Sequence, residues 1–421
     1  MKLQIAVEEE TDGRWIAEMV ALRRLVGHVD FKLLIPAFAI LVSCAMTRAL
    51  PAQSVDTLRM RLLWEVSEGT HPTADSLGQL SGIALDRAGN VYVSDFSDAG
   101  IWVFDASGRS MPAIGRRGKG PGEFSKPTGI AIGPDGRLYV RDLERVSRFA
   151  VDPAHGRLTR YDRSFASPSR NDWTSMLASR FDNAGRLYYP AFNLIDRSVR
   201  TGFYLVYSPA GVLEDSLEVP AFPGAPASTA SVRLSAHGGR MLNGVNHVPF
   251  APLPVWDVTP RGTLITGDAH TYVIRETDAA GKMVREFRRT IAPEPIPARE
   301  WRDSVAALRA RVDSIPGPSS QVEGVPPDVR ALRVPKTYPV FTAAYAAADG
   351  TVWVRRWSAR RDRTVFDVFQ ANGRFRTVVE LPRWILPLPT PVLSLDGIAA
   401  IGVDAETGAH IILRFGPAAR R

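Results

Sequence analysis

The sequence predicts an all-β fold, a six-bladed β-propeller. One strand-and-turn pattern recurs six times, and a spare strand precedes the first copy. "GIALDRAGNVYVSD" (82–95) and "GIAIGPDGRLYVRD" (129–142) each read as an apolar strand, a turn with Gly at its tip, a second strand with an aromatic residue, and a closing Asp. A further hairpin follows each, through "IWVFDASG" (101–108) and "VSRFAVDPAHG" (146–156). A four-stranded unit that cannot bury its own faces stacks with its copies around an axis.

The remaining copies are weaker. "LASRFDNAGRLYYPA" (177–191) precedes "FYLVYSPAG" (203–211), and "VWDVTPRGTLITGD" (255–268) precedes "YVIRETDAAG" (272–281). "AAYAAADGTVWVRR" (343–356) precedes "VFDVFQANG" (365–373), and "VLSLDGIAAIGVD" (392–404) precedes "IILRF" (411–415). The turn glycines are Gly89, Gly136, Gly185, Gly262, Gly350 and Gly397, each placed where a tight hairpin demands positive φ. Alternation such as Val91 and Val93 against Asn90 and Tyr92 suits four-stranded antiparallel blades packed between neighbours. The sixth copy ends one strand short at Phe415, while "LRMRLLWEVSEG" (58–69) is unclaimed. That N-terminal strand is expected to close the last blade and remove an open edge. A β-sandwich fits six like units less well.

With those motifs in hand, the chain resembles the NHL-repeat family and, more broadly, bacterial exported six-bladed propellers. "GPGEFSKPTGIAIGPDGRLYVRD" (120–142) follows the NHL pattern of Gly-rich loop, Glu-Phe, Pro, Gly-Ile-Ala, turn Gly, Tyr-Val and Asp. "PFAPLPVWDVTPRGTLITGD" (249–268) is similar to the fourth-blade segment of the exported group. The resemblance spans residues 55–416 and implies the fold; one propeller serves many functions, so it implies no activity.

The N-terminal region reads differently. Arg23, Arg24 and Lys32 precede an apolar run from Leu33 to Val42, short for a bilayer span and of signal-peptide length. "LVSC" (41–44) resembles a bacterial lipobox, which implies lipidation of Cys44; cleavage after Ala52 in "ALPAQS" would instead release a soluble exported chain. Residues 20–52 are therefore expected to be an export signal. Residues 1–19 read as a hairpin around Thr11-Asp12-Gly13 that resembles the first hairpin of HicB-type antitoxins, and a start at Met19 would make them extraneous. Cys44 is the only cysteine, so no intrachain disulfide can form.

The composition is that of a folded globular chain, 45% hydrophobic and 23% charged over 421 residues. Its formal charge of +8 comes mostly from Arg spread along the whole chain, without the clustered stripe of a nucleic-acid binder, and no nucleic-acid partner is expected. "GRRGKGPGEFSKPTGIA" (115–131) has the glycines and cations of a phosphate cradle, but a strand and Gly turn follow it where a helix is required. Arg116, Arg117 and Lys119 remain candidate anion contacts. Asp95, Asp142 and Asp268 share one offset, six residues after the turn Gly. They suit caps on loop amides, or a shared ring around a metal or cationic ligand.

Two insertions, 220–254 and 290–340, exceed ordinary loop lengths and leave from connections between blades, which places both on one face. The second separates blades 4 and 5, and Trp301, Val305, Leu308 and Val312 recur there at helical spacing, with Pro297 at the start and Pro316 and Pro318 beyond the end. They suit either a lid over the channel mouth or a surface helix. After the signal, His71, His155, His237, His247, His270 and His410 show no HxxxH spacing, and no GxSxG elbow occurs. The expectation is a monomeric binding or scaffolding module, without a predicted catalytic residue, metal or cofactor, that meets a protein or small-molecule ligand on its loop face. The alternative is a lactonase- or lyase-like propeller enzyme with a channel metal, Ca2+ among the options, for which Glu123 and Asn243 are available. If the lipobox reading is right, Cys44→Ser abolishes incorporation of labelled fatty acid and releases the chain from membranes; retained membrane attachment refutes it.

Overall fold

In the first three blades the inner hairpin forms around a carboxylate and a glycine at its tip. Asp86 accepts from the Asn90 amide (2.8 Å) and the Tyr92 hydroxyl (2.9 Å). Asp135 takes the Tyr139 hydroxyl (2.9 Å) and Asp182 that of Tyr188 (3.2 Å). Gly89 turns the first of these at φ 89°, a left-handed conformation that a Cβ would strain. Tyr92 reaches further: its hydroxyl also accepts from the Leu158 amide of the next blade (3.0 Å).

The structure, a computed structural model, describes residues 57–67, 77–143, 145–167, 178–192, 202–219, 229–236, 240–247, 249–252, 255–313 and 335–418. Cys44, the 1–19 hairpin, the 20–52 signal, His71, His237, Pro316 and Pro318 lie outside them. After β1 (Thr57–Ser67), the first blade is β2 (Leu80–Leu85), β3 (Val91–Asp95), β4 (Gly100–Phe104) and β5 (Ser110–Ile114). The second is β6 (Gly129–Ile132), β7 (Leu138–Arg141), β8 (Arg145–Asp152) and β9 (Arg157–Ala166). The third is β10 (Arg180–Phe181), β11 (Leu187–Phe192), β12 (Gly202–Tyr207) and β13 (Leu213–Glu218). A separate hairpin, β14 (Thr229–Ala236) with β15 (Arg240–His247), occupies the first insertion. The fourth blade is β16 (Val255–Val258), β17 (Leu264–Asp268), β18 (Val273–Thr277) and β19 (Met283–Arg288). Helix α1 (Ala298–Asp313) lies in the second insertion, and the side chains of Leu308 and Val312 fall outside the described residues. The fifth blade is β20 (Phe341–Ala346), β21 (Val352–Arg356), β22 (Thr364–Phe369) and β23 (Phe375–Leu381), and the sixth contains β24 (Ile398–Val403) and β25 (His410–Pro417).

Neighbouring blades share buried hydrophobic clusters, and the sequence alternation assigns each side chain to one of them. Val91 and Val93 pack with Ile401 and Ile412 of the sixth blade, whereas Tyr92 between them packs with Ile130 and Val140 of the second. Tyr139 meets Tyr189 between blades 2 and 3, and Tyr204 meets Val258 between 3 and 4. Phe287 meets Phe369 between blades 4 and 5, and Trp353 meets Leu413 between 5 and 6. Six interfaces around one axis close a ring.

The last blade departs from the repeat in two ways. A regular inner strand was expected from Val392 onward, but only isolated bridges form, Ile385↔Gly402 and Val392↔Ala399. Pro387, Pro389 and Pro391 lack the N–H donors that a ladder needs, so the intervening segment bulges away from β24. Gly397 does not adopt positive φ, unlike the other five turn glycines. The Arg414 guanidinium lies where a Cβ at this position would sit. β1 completes the blade as expected, antiparallel to β25 from Met60↔Pro417 to Ser67↔Ile411, and its first residues run parallel to β23 (Thr57↔Val378). Its Met60 enters the interface between blades 5 and 6, and its Val66 that between blades 6 and 1. Deleting β1 should leave β25 an open edge: size-exclusion chromatography will show self-association, and thermal unfolding will lose its single cooperative transition.

Candidate functional site

Antiparallel order gives the ring two distinct faces. The inner-hairpin turns, the outer-hairpin turns and the start of β1 lie on one, the turn face. The loops between second and third strands, and the connections between blades, lie on the other, the loop face. The axis between them is obstructed. The bulge of the sixth blade carries Thr390 across to the opposite, third blade, where its hydroxyl accepts from the Ala178 amide (3.1 Å). The Tyr345 hydroxyl holds the same bulge through the Pro387 carbonyl (2.8 Å). Around it, Arg180 of β10 donates twice to Asp257 of β16 (2.7 and 2.5 Å), and Asp257 also accepts from the Ala346 amide of β20 (2.9 Å). Burial would push the Arg180 guanidinium down, but Asp257 reverses this and raises it. These bonds tie four inner segments together across the channel.

The glycine-rich loop is built in the opposite sense to a phosphate cradle. Its carbonyls converge, not its amides: Arg145 donates to the carbonyls of Lys119 (2.8 Å), Gly120 (3.0 Å) and Glu123 (2.5 Å). The Glu123 carboxylate fills the place of an anion, accepting from the Gly120 amide and from Arg116 Nε, both at 2.9 Å. Those two bonds, the amide first, hold the Glu123 carboxyl below its ordinary range. Gly115 is required, since it takes φ 77° and the Phe124 ring and Gly122 carbonyl occupy the space of its Cβ, while the Glu123 carboxylate lies over Gly118. Arg117 bonds the Ser97 carbonyl (2.6 Å), and Lys119 lines a cleft of about 120 Å³ with Ser125, Asp142 and Arg145.

Asp95, Asp142 and Asp268 do not converge. Asp95 accepts from the amides of Gly78, Ser97 and Asp98, Asp142 from those of Ser125, Lys126 and Leu143, and Asp268 from that of His270. Each caps the loop of its own blade, so the shared ring is corrected to separate caps. Asn243 pairs with Arg233 in the β14–β15 hairpin. Among the described residues no group of three or more His, Cys, Asp or Glu could hold a metal ion.

The loop face is most elaborated at the junction of blades 4 and 5, where the two insertions meet. The ends of the second insertion pair through Pro295↔Thr337 and the Ile296 amide to Lys336 carbonyl bond (3.0 Å). This stem delivers Tyr338, which stacks on Trp357 of the β21–β22 loop with centroids 4.1 Å apart and planes at 15°. Phe250, from the end of the first insertion, meets Tyr338 edge-on at 5.6 Å. The Tyr338 hydroxyl donates to Glu300 of α1 (2.5 Å); burial first, then Glu300, raises the phenol. Beside this shelf a concavity of about 330 Å³ is lined by His270, Thr271, Arg288, Arg289, Thr290 and Ile291. Beneath it, buried Asp367 accepts from Tyr272, Arg289 and Arg356 and joins the two blades.

Residues 74–244 match the model of the DUF5128 family, described as a 6-bladed beta-propeller. The chain is a six-bladed β-propeller. Solved structures similar to it include virginiamycin B lyase from Staphylococcus aureus, at 12% identity and TM-score 0.41 over 85% of this chain and 99% of that one. Others are a PQQ-bound aldose sugar dehydrogenase from Streptomyces coelicolor (16%, TM-score 0.41, 85% and 98%) and a duf4221-family member from Bacteroides vulgatus (9%, TM-score 0.43, 85% and 98%). No curated protein matches the sequence.

The residues that sequence reasoning missed in this propeller carry a legible signal. "RRWSARRDR" (355–363) places five arginines and Trp357 within nine residues, at the end of β21 and in the loop after it, a local cluster that the diffuse overall charge conceals. "PLPTP" (387–391) marks the bulge, because alternate prolines cannot continue a ladder. The Glu123 loop yields a direct test. A carboxyl held below its ordinary value contributes order that is present above that value and is lost only as pH falls through the lowered one. Protection of the Gly120 amide from hydrogen exchange should therefore persist through mildly acidic pH and collapse below the usual carboxylate range. Glu123→Gln should show low protection throughout; protection that ignores both would refute the Glu123 anchor.

Proposed function

We propose that this propeller is a binding module that receives its partner on the loop face, at the shelf formed by Phe250, Tyr338 and Trp357. The observation that carries this reading is the obstructed axis. With Thr390 bonded across to Ala178 and the Arg180–Asp257 pair beside it, the channel is occupied by the protein's own groups. The surface that the two insertions do elaborate lies outside it. Aromatic rings backed by cations suit a macromolecular partner, since such side chains dominate interface energetics.

If the segment preceding β1 is an export signal with lipidated Cys44, the partner is met in the surrounding envelope compartment. No described helix is long and apolar enough to cross a membrane.

Photo-crosslinking tests the reading. A crosslinker at exposed Ser358, beside the shelf, should trap a discrete partner in the native host, and Tyr338→Ala with Trp357→Ala should abolish the product. The same group at exposed Ala154, in an outer turn, should trap none of it. Equal trapping from both faces overturns the proposal, as does stoichiometric metal in the purified chain together with turnover of a small molecule.

A further inference from the structure

The concavity beside the shelf is walled by groups that donate. Arg288 ends β19 opposite Val273, the first residue of β18, and His270 lies in the loop that leads into that strand. The neighbouring Ala269 carbonyl accepts from the Val340 amide (2.8 Å), so His270 adjoins the segment that carries Tyr338. The lining of this space of about 330 Å³ includes two guanidiniums, Arg288 and Arg289, and no carboxylate. The carboxylates around it are already taken. Glu286 accepts from Arg288 and is shared with Arg275, and Asp367 accepts from Arg289 and is shared with Arg356. Asp268 accepts from the Thr271 hydroxyl (2.6 Å) and the His270 amide (2.9 Å). Four guanidiniums thus stand against three carboxylates, and positive charge is left over.

Donors are left over as well. Arg288 is held through Nε, and Arg289 through Nη1 and by the Phe375 ring, whose centre lies 4.3 Å from its guanidinium carbon. Nη1 and Nη2 of Arg288, and Nε and Nη2 of Arg289, have no acceptor among the described residues. The His270 imidazole makes no hydrogen bond among them either, and its Nε2 is closed off from solvent. A buried N–H without an acceptor costs more than a buried lone pair, so the neutral ring carries its proton on Nδ1 as a further donor. A guanidinium cannot accept a hydrogen bond, and its fork matches an oxyanion through parallel N–H···O bonds. A concave wall of one sign also raises the local concentration of the opposite ion.

We propose that this cavity is an oxyanion subsite, in which Arg288, Arg289 and His270 take a phosphate or carboxylate group through N–H donors that the fold leaves unspent. Small ions probe it without a partner, so its failure and that of the shelf reading are told apart. Thermal unfolding of the full chain in sodium phosphate, sodium acetate and sodium chloride at matched ionic strength tests it. A saturable rise in Tm with phosphate identifies a phosphate site, and one with acetate a carboxylate site, with chloride giving neither. Arg288→Gln should weaken that response about tenfold, as expected for loss of a charged hydrogen-bond donor. This variant should fold, because Glu286 keeps Arg275 (3.2 Å). Arg109→Gln, which removes an exposed arginine from an outer turn of the first blade, should respond as wild type does. Absence of any saturable response, or an equal response in Arg288→Gln and Arg109→Gln, overturns the proposal.

Discussion

Pairing between the two ends of the described chain holds this molecule in a ring. Five blades are assembled from consecutive strands, but the sixth takes its outer strand from β1, more than 300 residues before β25 in the chain. Met60 and Val66 on that strand supply buried side chains to the interfaces on either side of the blade. Without them β25 would present an open ladder of N–H and C=O groups, the arrangement that draws strands from other molecules. Closure also imposes late assembly: the last blade is incomplete until both termini meet, a contact of high sequence separation that is slow to form.

Once the ring is closed, polar groups are spent mainly on geometry. Asp86, Asp135 and Asp182 hold inner turns and tyrosine hydroxyls, while Asp95, Asp142 and Asp268 cap loops. Buried Asp257, Glu276 and Asp367 each neutralise arginines, and Asp257 and Asp367 also join neighbouring blades. A buried ion pair contributes little net stability when both partners are present, yet losing one partner costs about 3–5 kcal/mol. Such pairs therefore specify how adjacent blades meet more than they strengthen the meeting. Buried Arg141 and Arg355 are held instead by main-chain carbonyls, those of Thr128 and Ile385.

The loop face and the axis divide the work. Prolines in the sixth blade push backbone into the channel, and hydrogen bonds from the third and fifth blades fasten it there. The face above carries what the blades do not need for their own packing: two insertions, the aromatic shelf and an arginine-rich loop.

Much of the fold was legible in the sequence, because the periodicities that specify it are local. Strand alternation, a turn glycine and an aromatic two or three residues into the second strand recur within fifteen residues, so blade number, strand pairing and even the β1 closure could be read directly. The candidate site was not, for a physical reason. Whether Glu123 or an outside anion satisfies the 115–124 loop depends on which way carbonyls and amides point after the loop closes on Arg145. Whether Asp95, Asp142 and Asp268 form a ring depends on side-chain direction at each strand end, which a shared sequence offset does not encode. The meeting of Phe250 with Tyr338, and of Arg355 with Trp384, joins segments 88 and 29 residues apart and exists only in the closed ring. Repetition in the chain determined the scaffold; contacts between distant segments alone decided what the scaffold presents.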